Sequence, residues 1–472
     1  MLKSKFGFPL CNHPAPIREE SRMDTKECYR KAQKSFVGGS SAAGRYHAAL
    51  GMPLYVKCAD GAYVTDLDDK RYLDFHNAAG AAFFGFNHPR LQKAVAKSVE
   101  MGFFLNFETE YHYQLADALC SVIPSAQKVR LSNTGTEATM AAIRLARAYT
   151  GRDKIIRFEG HFHGMSELVF YNHGNLGDRD SHGEIGAIPD SAGFPKSFSN
   201  EIIVVEFNRP DALEHVVRKY VNQVAAIIME PVCFNCGCVP AKPGYLQAVR
   251  EICDREGIVL IFDEVLSGFR PGIGGAQEHY GVTPDLTTLA KALGGGFPIA
   301  ALVGKKLIME KLNPVGPAVM SGTYTGSLMP VLVALECLKM MQEPSFYSRL
   351  NALSQKLFDG LDFLFEKHGV PGHVRGIGNR FATYFGIEDP ETDFNIREVA
   401  KRFDSGSYKA FIRASLERQL YFPLTGWATG SLAFPSHAGI SSAYTEADID
   451  DALGKLEEVF RKLSKPRIIG KN

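Results

Sequence analysis

No stretch of this sequence is apolar for the ~20 residues a membrane-spanning helix needs. Charge of one sign is also missing: 53 Lys and Arg stand against 52 Asp and Glu, a net charge of +1. That balance speaks against an electrostatic footprint for nucleic acid. There is no repeat of fixed period. Nine cysteines in 472 residues do not make a disulfide scaffold. Cys233, Cys236 and Cys238 cluster, but no partner pair stands at zinc spacing, so they read as buried or loop thiols and no metal is expected. His161-Phe162-His163 raises the same thought and meets the same objection. Met1 to about Glu27 lacks the long apolar core of a secretory signal. Met23 could be a second start, which would make the preceding residues an extension. The expected location is the cytoplasm.

What is present is an ordinary globular composition, 45% hydrophobic and 22% charged. A chain of this length exceeds one compact core and predicts two or more lobes. The most informative stretch runs from Val259 to Gly296. Val259-Leu260-Ile261-Phe262 reads as a buried strand ending in Asp263-Glu264-Val265. Pro284-Asp285-Leu286-Thr287-Thr288-Leu289-Ala290-Lys291 reads as the next strand, with Lys291 at its end and Gly294-Gly295-Gly296 behind it. In parallel α/β sheets ligands bind outside the carboxyl ends of the strands. Pyridoxal phosphate needs this pair: a Lys for its aldehyde and an acid beside its ring nitrogen. The anion keeps the ring nitrogen protonated. An apolar or cation-rich pocket lowers the Lys pKa, so the amine can add to an aldehyde and later carry protons. Taken singly, Asp263 could cap a loop and Lys291 could be a surface residue.

The chain resembles the class III, fold type I aminotransferases, and within them the glutamate-1-semialdehyde aminomutase branch. The resemblance rests on Phe262-Asp263-Glu264-Val265 with Gly268-Phe269-Arg270, on Gly274-Gly275-Ala276-Gln277, on Tyr280-Gly281-Val282-Thr283-Pro284-Asp285-Leu286, and on Lys291 with its glycines. It extends from about Gly38 to the last helix. It implies an α/β fold: a large lobe with a mostly parallel seven-stranded sheet flanked by helices, plus a smaller α+β lobe. The expected division is an N-terminal extension over 1–27, a small-lobe segment over 28–85, a cofactor-binding domain over 86–330 and a C-terminal domain over 331–472. It also implies pyridoxal 5′-phosphate as cofactor and a homodimer with shared active sites, with a small-molecule amino donor and carbonyl acceptor as partners.

Strands are expected at 128–132, 154–158, 202–206, 224–229, 259–262 and 299–303, and near 53–56, 62–68 and 376–385. Helices are expected at 28–36, 89–101, 211–220 and 244–256, from the Asn133–Ala138 loop to about Tyr149, as two long helices beyond Leu328, and at 446–463. After the strand at 128–132, Asn133-Thr134-Gly135-Thr136-Glu137 opens a helix. Its outward N–H groups and dipole suit an anion, so Gly135 and Thr136 are the expected seat of the cofactor phosphate. A Thr-Glu helix cap without ligand is the alternative.

By resemblance, Phe162 stacks on the cofactor ring, Val265 packs beneath it, Asn235 lies near the phenolic oxygen and Thr323 reaches the phosphate of the neighbouring subunit. Tyr171 to Gly186 corresponds to a mobile lid. Arg45 matches an arginine linked to a substrate carboxylate, or it is a surface ion pair. His437 stands where the aminomutases carry a glutamate before an Ala-Gly pair, and the approach Tyr421-Phe422-Pro423-Leu424-Thr425-Gly426-Trp427 is longer and more aromatic than theirs. His437 binds substrate, or it is a packed or solvated histidine. The expected activity moves an amino group from an amino acid or amine to a keto acid or aldehyde through a Lys291 Schiff base. The alternatives are the aminomutase reaction, another cofactor-dependent isomerase such as a racemase, and a catalytically silent regulator that kept the fold.

Overall fold

The computed structural model describes residues 23–102, 106–389, 391, 394–424 and 433–464. Most of the expected N-terminal extension, and residues 425–427 of the aromatic approach, lie outside these.

Runs of β-branched and apolar residues build the centre. Lys154–Phe158, Ile202–Val205, Val224–Met229, Val259–Glu264 and Leu286–Leu289 are strands, the last four buried along their whole length. Continuous burial is the mark of a sheet covered by helices on both faces. In the sheet their order is Leu286–Leu289, Val259–Glu264, Val224–Met229, Lys154–Phe158, Ile202–Val205, all parallel. Ala300–Gly304 joins antiparallel to Leu286–Leu289 and to the edge strand Lys128–Ser132. The sheet has eight strands where seven were expected. The eighth is Glu184–Ile185, folded back antiparallel on Ile202–Val205. Two residues carry no period for sequence to reveal, and only the neighbour's free edge makes them a strand.

Helix Gly135–Thr150 crosses beneath this sheet with Ala141, Ala142, Ile143, Leu145 and Ala146 buried. Each large apolar side chain so buried stabilises by roughly 1.5–3 kcal/mol. A helix absent from the expectations, Glu110–Val122, is capped by Thr109 and His112 and packs Leu115 and Leu119 inward.

A four-stranded sheet joins both ends of the chain. Val56–Asp60, Tyr63–Asp66 and Arg71–Asp74 form an antiparallel meander, and Leu420–Tyr421 adds parallel to Arg71–Asp74. The first strand begins at Val56 rather than Pro53, because Met52–Pro53 pairs instead with Tyr46–His47. Gly372–Ile377, Arg380–Phe385 and Ala438–Gly439 form a three-stranded antiparallel sheet. Helices Phe346–Lys367, Ser405–Glu417 and Glu446–Leu463 pack around it. No helix among the described residues is long and apolar enough to cross a membrane.

Candidate active site

Three neighbouring parallel strands end side by side. Val224–Met229 delivers Glu230, Val259–Glu264 delivers Asp263, and Leu286–Leu289 delivers Ala290 and Lys291. The loop after Lys154–Phe158 brings Phe162 and His163, and the N-terminus of helix Gly135–Thr150 brings Asn133 to Thr136. Together with Asn235, Val265, Leu266, Ala81 and Phe297 these residues line one cavity of ≈ 270 Å³.

The helix N-terminus is built by its cap. Thr134 Oγ1 accepts the Glu137 N–H at 3.2 Å, while the Glu137 carboxylate accepts the Thr134 N–H at 3.1 Å and the Asn133 N–H at 2.6 Å. Such a capping box contributes about 1 kcal/mol. It leaves the N–H groups of Gly135 and Thr136 without a hydrogen-bond partner among the described residues, at the cavity wall. A helix start with free N–H groups holds anions. A Cβ on Gly135 would stand 2.8 Å from a Val265 methyl, and one on Gly164 would stand 2.5 Å from Thr136 Oγ1. Both glycines are therefore required by close approach.

Asp263 is buried and held by three donors. His163 Nδ1–H donates to Oδ2 at 2.8 Å, Thr288 Oγ1–H to Oδ1 at 3.0 Å, and the Val265 N–H to Oδ1 at 3.1 Å. A carboxylate has about four acceptor positions, so Oδ2 keeps capacity for one more N–H. His163 is buried, and burial holds its pKa below the usual value despite the Asp263 hydrogen bond. It is thus a neutral imidazole whose proton sits on Nδ1. Glu230 accepts the Phe162 N–H at 2.8 Å, and the Glu230 N–H donates to His161 Nδ1 at 3.0 Å. Burial and then the Asp263 charge push the Glu230 carboxyl up to about 8. The His161-Phe162-His163 run, doubtful as a metal site from sequence, pins two carboxylate-bearing strand ends.

Burial lowers the Lys291 amine to about 8, against the pull of Glu230 and Asp263 and with help from the Arg270 and Arg380 charges. Its backbone has φ +44°, a left-handed conformation rare outside glycine. Such strain costs on the order of 1–3 kcal/mol and concentrates at functional sites.

Of the residues expected from sequence, Gly135, Thr136, Phe162, Asn235, Asp263, Val265 and Lys291 line this one cavity. Three do not. Thr323 is exposed, although its loop is tied to this site by Asn133 Nδ2 donating to Thr325 Oγ1 at 3.5 Å. Arg45 is exposed and donates to Ser41 Oγ at 2.7 Å. His437 accepts a hydrogen bond from Arg380 through Nδ1 and lies outside the cavity wall. His163 and Glu230 were not predicted as site residues. Glu230 had a usable signal, since it follows an apolar strand as Asp263 does. The stretch implied as a lid is pinned: Asp190 accepts the His173 and Gly174 N–H groups at 2.6 and 3.1 Å, Glu159 accepts that of Gly177 at 3.0 Å, and Arg397 donates to Gly177 O at 2.6 Å.

The sequence matches the model of the aminotransferase class-III family over residues 46–408. The chain belongs to the class-III aminotransferases. Solved structures superpose on nearly all of it. An omega-transaminase from Sphaerobacter thermophilus is 29% identical, covers 94% of this chain and 99% of its own, and gives a TM-score of 0.85. A transaminase with pyridoxal phosphate bound is 27% identical over 95% of this chain and 99% of its own, with a TM-score of 0.80. A glutamate-1-semialdehyde aminomutase from Pseudomonas aeruginosa PAO1, 24% identical over 93% and 94% with a TM-score of 0.79, shares the fold. As a class-III aminotransferase the chain uses pyridoxal 5′-phosphate. The donor set fits that group: two free N–H groups at a helix start, spare acceptor capacity on Asp263, and a buried amine of lowered pKa.

Proposed function

We propose that this class-III enzyme transfers an amino group between separate molecules, from an amino acid or amine to a keto acid or aldehyde. The observation that carries the reading is the convergence of Lys291, Asp263 and the Gly135–Thr136 helix start on one cavity. Pyridoxal phosphate supplies an aldehyde to take the amino group and a ring that withdraws electrons when its nitrogen is protonated. The residues do the rest. Asp263 Oδ2 would accept the ring N–H and, as a fixed anion, hold that proton in place. The Gly135 and Thr136 N–H groups and the helix dipole would bind the phosphate. Phe162 and Val265 would shield the ring from water, and Asn235 would serve its phenolic oxygen. Lys291, uncharged through burial, would move a proton at the substrate carbon through Nζ.

Intermolecular transfer is favoured over the aminomutase reaction by the histidine at 437. The aminomutases carry a carboxylate there, which steers a substrate amine; this His437 is bound to a buried arginine and held well below its usual pKa by burial and by Arg380. Supplying glutamate 1-semialdehyde and following 5-aminolevulinate tests the choice. Transfer that requires a separate donor and acceptor supports the proposal. Efficient conversion with no added acceptor overturns it.

The enzyme is further proposed to act in the cytoplasm as a homodimer in which Thr323 of each chain meets the phosphate held by the other. Thr323 and Tyr324 are exposed in the single chain. The Gly326 carbonyl accepts from His112 Nε2 at 2.6 Å, on helix Glu110–Val122; Tyr113 on that helix and Phe107 just ahead of it are exposed. Exposed aromatic patches of this kind mark interfaces.

A further inference from the structure

Strand Lys154–Phe158 carries a charge where its pattern calls for an apolar side chain. Ile155, two residues back and so on the same face, packs in an apolar cluster with Val169 and Tyr171. Arg157 stands on that face and is fully buried. Its four terminal N–H groups meet four main-chain carbonyls. Nη1 donates to Val169 O and Tyr171 O, and Nη2 donates to His161 O and, at 3.1 Å, to Phe158 O. Its Nε–H is buried and has no partner among the described residues. Burial pushes the guanidinium down to about 10, with the Asp190 charge as the largest opposing pull. Asp190 itself already accepts the His173 and Gly174 N–H groups. A cation buried in this way is costly.

The four carbonyls belong to the two ends of one loop. The chain leaves the strand at Phe158, turns at Gly160 and Gly164 with φ +81° and +92°, and comes back at Val169 to Tyr171. The ends close where the Gly160 N–H donates to Asn172 O at 2.7 Å. Between them the loop supplies Phe162, His163 and Gly164 to the cavity wall. It is tied to the helix that starts at Gly135 by Thr139 Oγ1 donating to His163 O at 2.8 Å. A buried carbonyl left without a donor costs about 1–3 kcal/mol. A loop that turns four of them inward keeps that shape only around a donor with as many N–H groups. Arginine offers five in a planar fork, lysine three on a single nitrogen.

The charge has a second effect. His161, His163 and His173 are all held below the usual histidine range, by burial first and with Arg157 among the further causes. A neutral His163 donates to Asp263 without cancelling the negative charge that a ring nitrogen requires.

We propose that Arg157 is a positioning residue of the aminotransfer site, gathering both ends of the 158–171 loop so that Phe162 stays at the cavity wall and His163 on Asp263. The inference rests on the aminotransferase reading and adds to it a residue that lies outside the cavity wall.

The test uses Arg157→Lys, which keeps the cation but serves at most three carbonyls, beside Arg157→Met, which serves none. Hydrogen exchange of the cofactor-free proteins is read peptide by peptide by mass spectrometry. Exchange over 158–171 should speed up about tenfold or more in both variants, the loss of one charge-assisted bond. Strands Val224–Met229 and Val259–Glu264 should keep their protection. In the loaded proteins the visible circular dichroism of the cofactor, which reports how fixed its surroundings are, should fall at equal cofactor content. The cofactor half-reaction is timed by stopped flow with L-alanine, L-glutamate and 2-phenylethylamine. With the fastest of the three it should slow about 10- to 100-fold, as a misplacement near 1 Å does. Exchange that is unchanged over 158–171, or that rises evenly along the sheet, overturns the inference. So does a loosened loop that leaves the dichroism or the rate at the wild-type level. If neither variant folds, Arg157 acts on folding rather than on positioning, and the inference is equally overturned. A wild type that reacts with none of the three donors counts against the aminotransfer reading alone, and exchange with circular dichroism still decides the role of Arg157.

Discussion

Asp263→Asn exchanges one carboxylate oxygen for an NH2 group at a position that three donors already use. The carboxylate accepts from His163, Thr288 and the Val265 N–H. An amide has only one acceptor oxygen. If that oxygen keeps the Thr288 and Val265 donors, the NH2 faces His163 Nδ1, and the imidazole must move its own proton to Nε2. His163 Nε2 is buried and has no partner among the described residues. A buried donor left unsatisfied costs about 1–3 kcal/mol. If the amide turns over, two donors meet the NH2 and the cost is no smaller. The variant should therefore unfold at lower denaturant by that amount. Its second loss is chemical. A neutral amide cannot hold the ring proton of pyridoxal phosphate, and a hydrogen bond to a charged group contributes about 1.5–3 kcal/mol, or roughly 10- to 200-fold in rate. Cofactor content is read from absorbance, and the amino-acid half-reaction is timed by stopped flow. The prediction is a folded, cofactor-loaded protein slowed by at least about tenfold. A loaded variant within a few-fold of the wild-type rate would refute the assignment of Asp263 to the ring nitrogen.

Gly135→Ala places a Cβ 2.8 Å from a Val265 methyl; overpacking of about 1–3 kcal/mol should weaken cofactor affinity roughly 5- to 150-fold, and an unaltered Kd would remove Gly135 from the cradle. Lys291, with its amine lowered to about 8, becomes the neutral nucleophile above that pH, so in cofactor-free protein its labelling by an amine-specific reagent should rise with a midpoint near 8. A midpoint near the 10.5 of an ordinary lysine would contradict the burial argument. Mixing Lys291→Ala chains with Thr323→Ala chains should give hybrid dimers with one doubly damaged site and one intact site; no gain of activity over either parent would exclude the shared-site arrangement.

The sheet was legible because its strands are continuous apolar runs punctuated by Asp, Glu and Gly. Lys154–Phe158 and Val224–Met229 fall where the runs begin and end, and Lys128–Ser132 shows as an alternating strand. The pairing of Asp263 with Lys291 was legible because adjacent parallel strands end on the same side. Less visible were elements whose cause is distant. Helix Glu110–Val122 mixes polar and aromatic residues, and its stabilising face appears only against helix Leu328–Met341. The Glu184–Ile185 strand exists through a neighbour's edge. His163 looked like half of a metal pair, because nothing near it in sequence shows that it meets Asp263, a hundred positions on. Arg45 has the match to the family but lies exposed against Ser41 in the single chain. Arg380 drew no notice at all, since its burial depends on how the strands at 380 and 438 pair.

The most direct test of the account is the identity of the lysine that carries the cofactor. The purified holoenzyme is reduced with borohydride, digested, and the pyridoxyl-bearing peptide sequenced by mass spectrometry. The account predicts a single modified residue, Lys291, and loss of both the label and turnover in a folded Lys291→Ala protein. Label on another lysine, or turnover that survives the substitution, would contradict it.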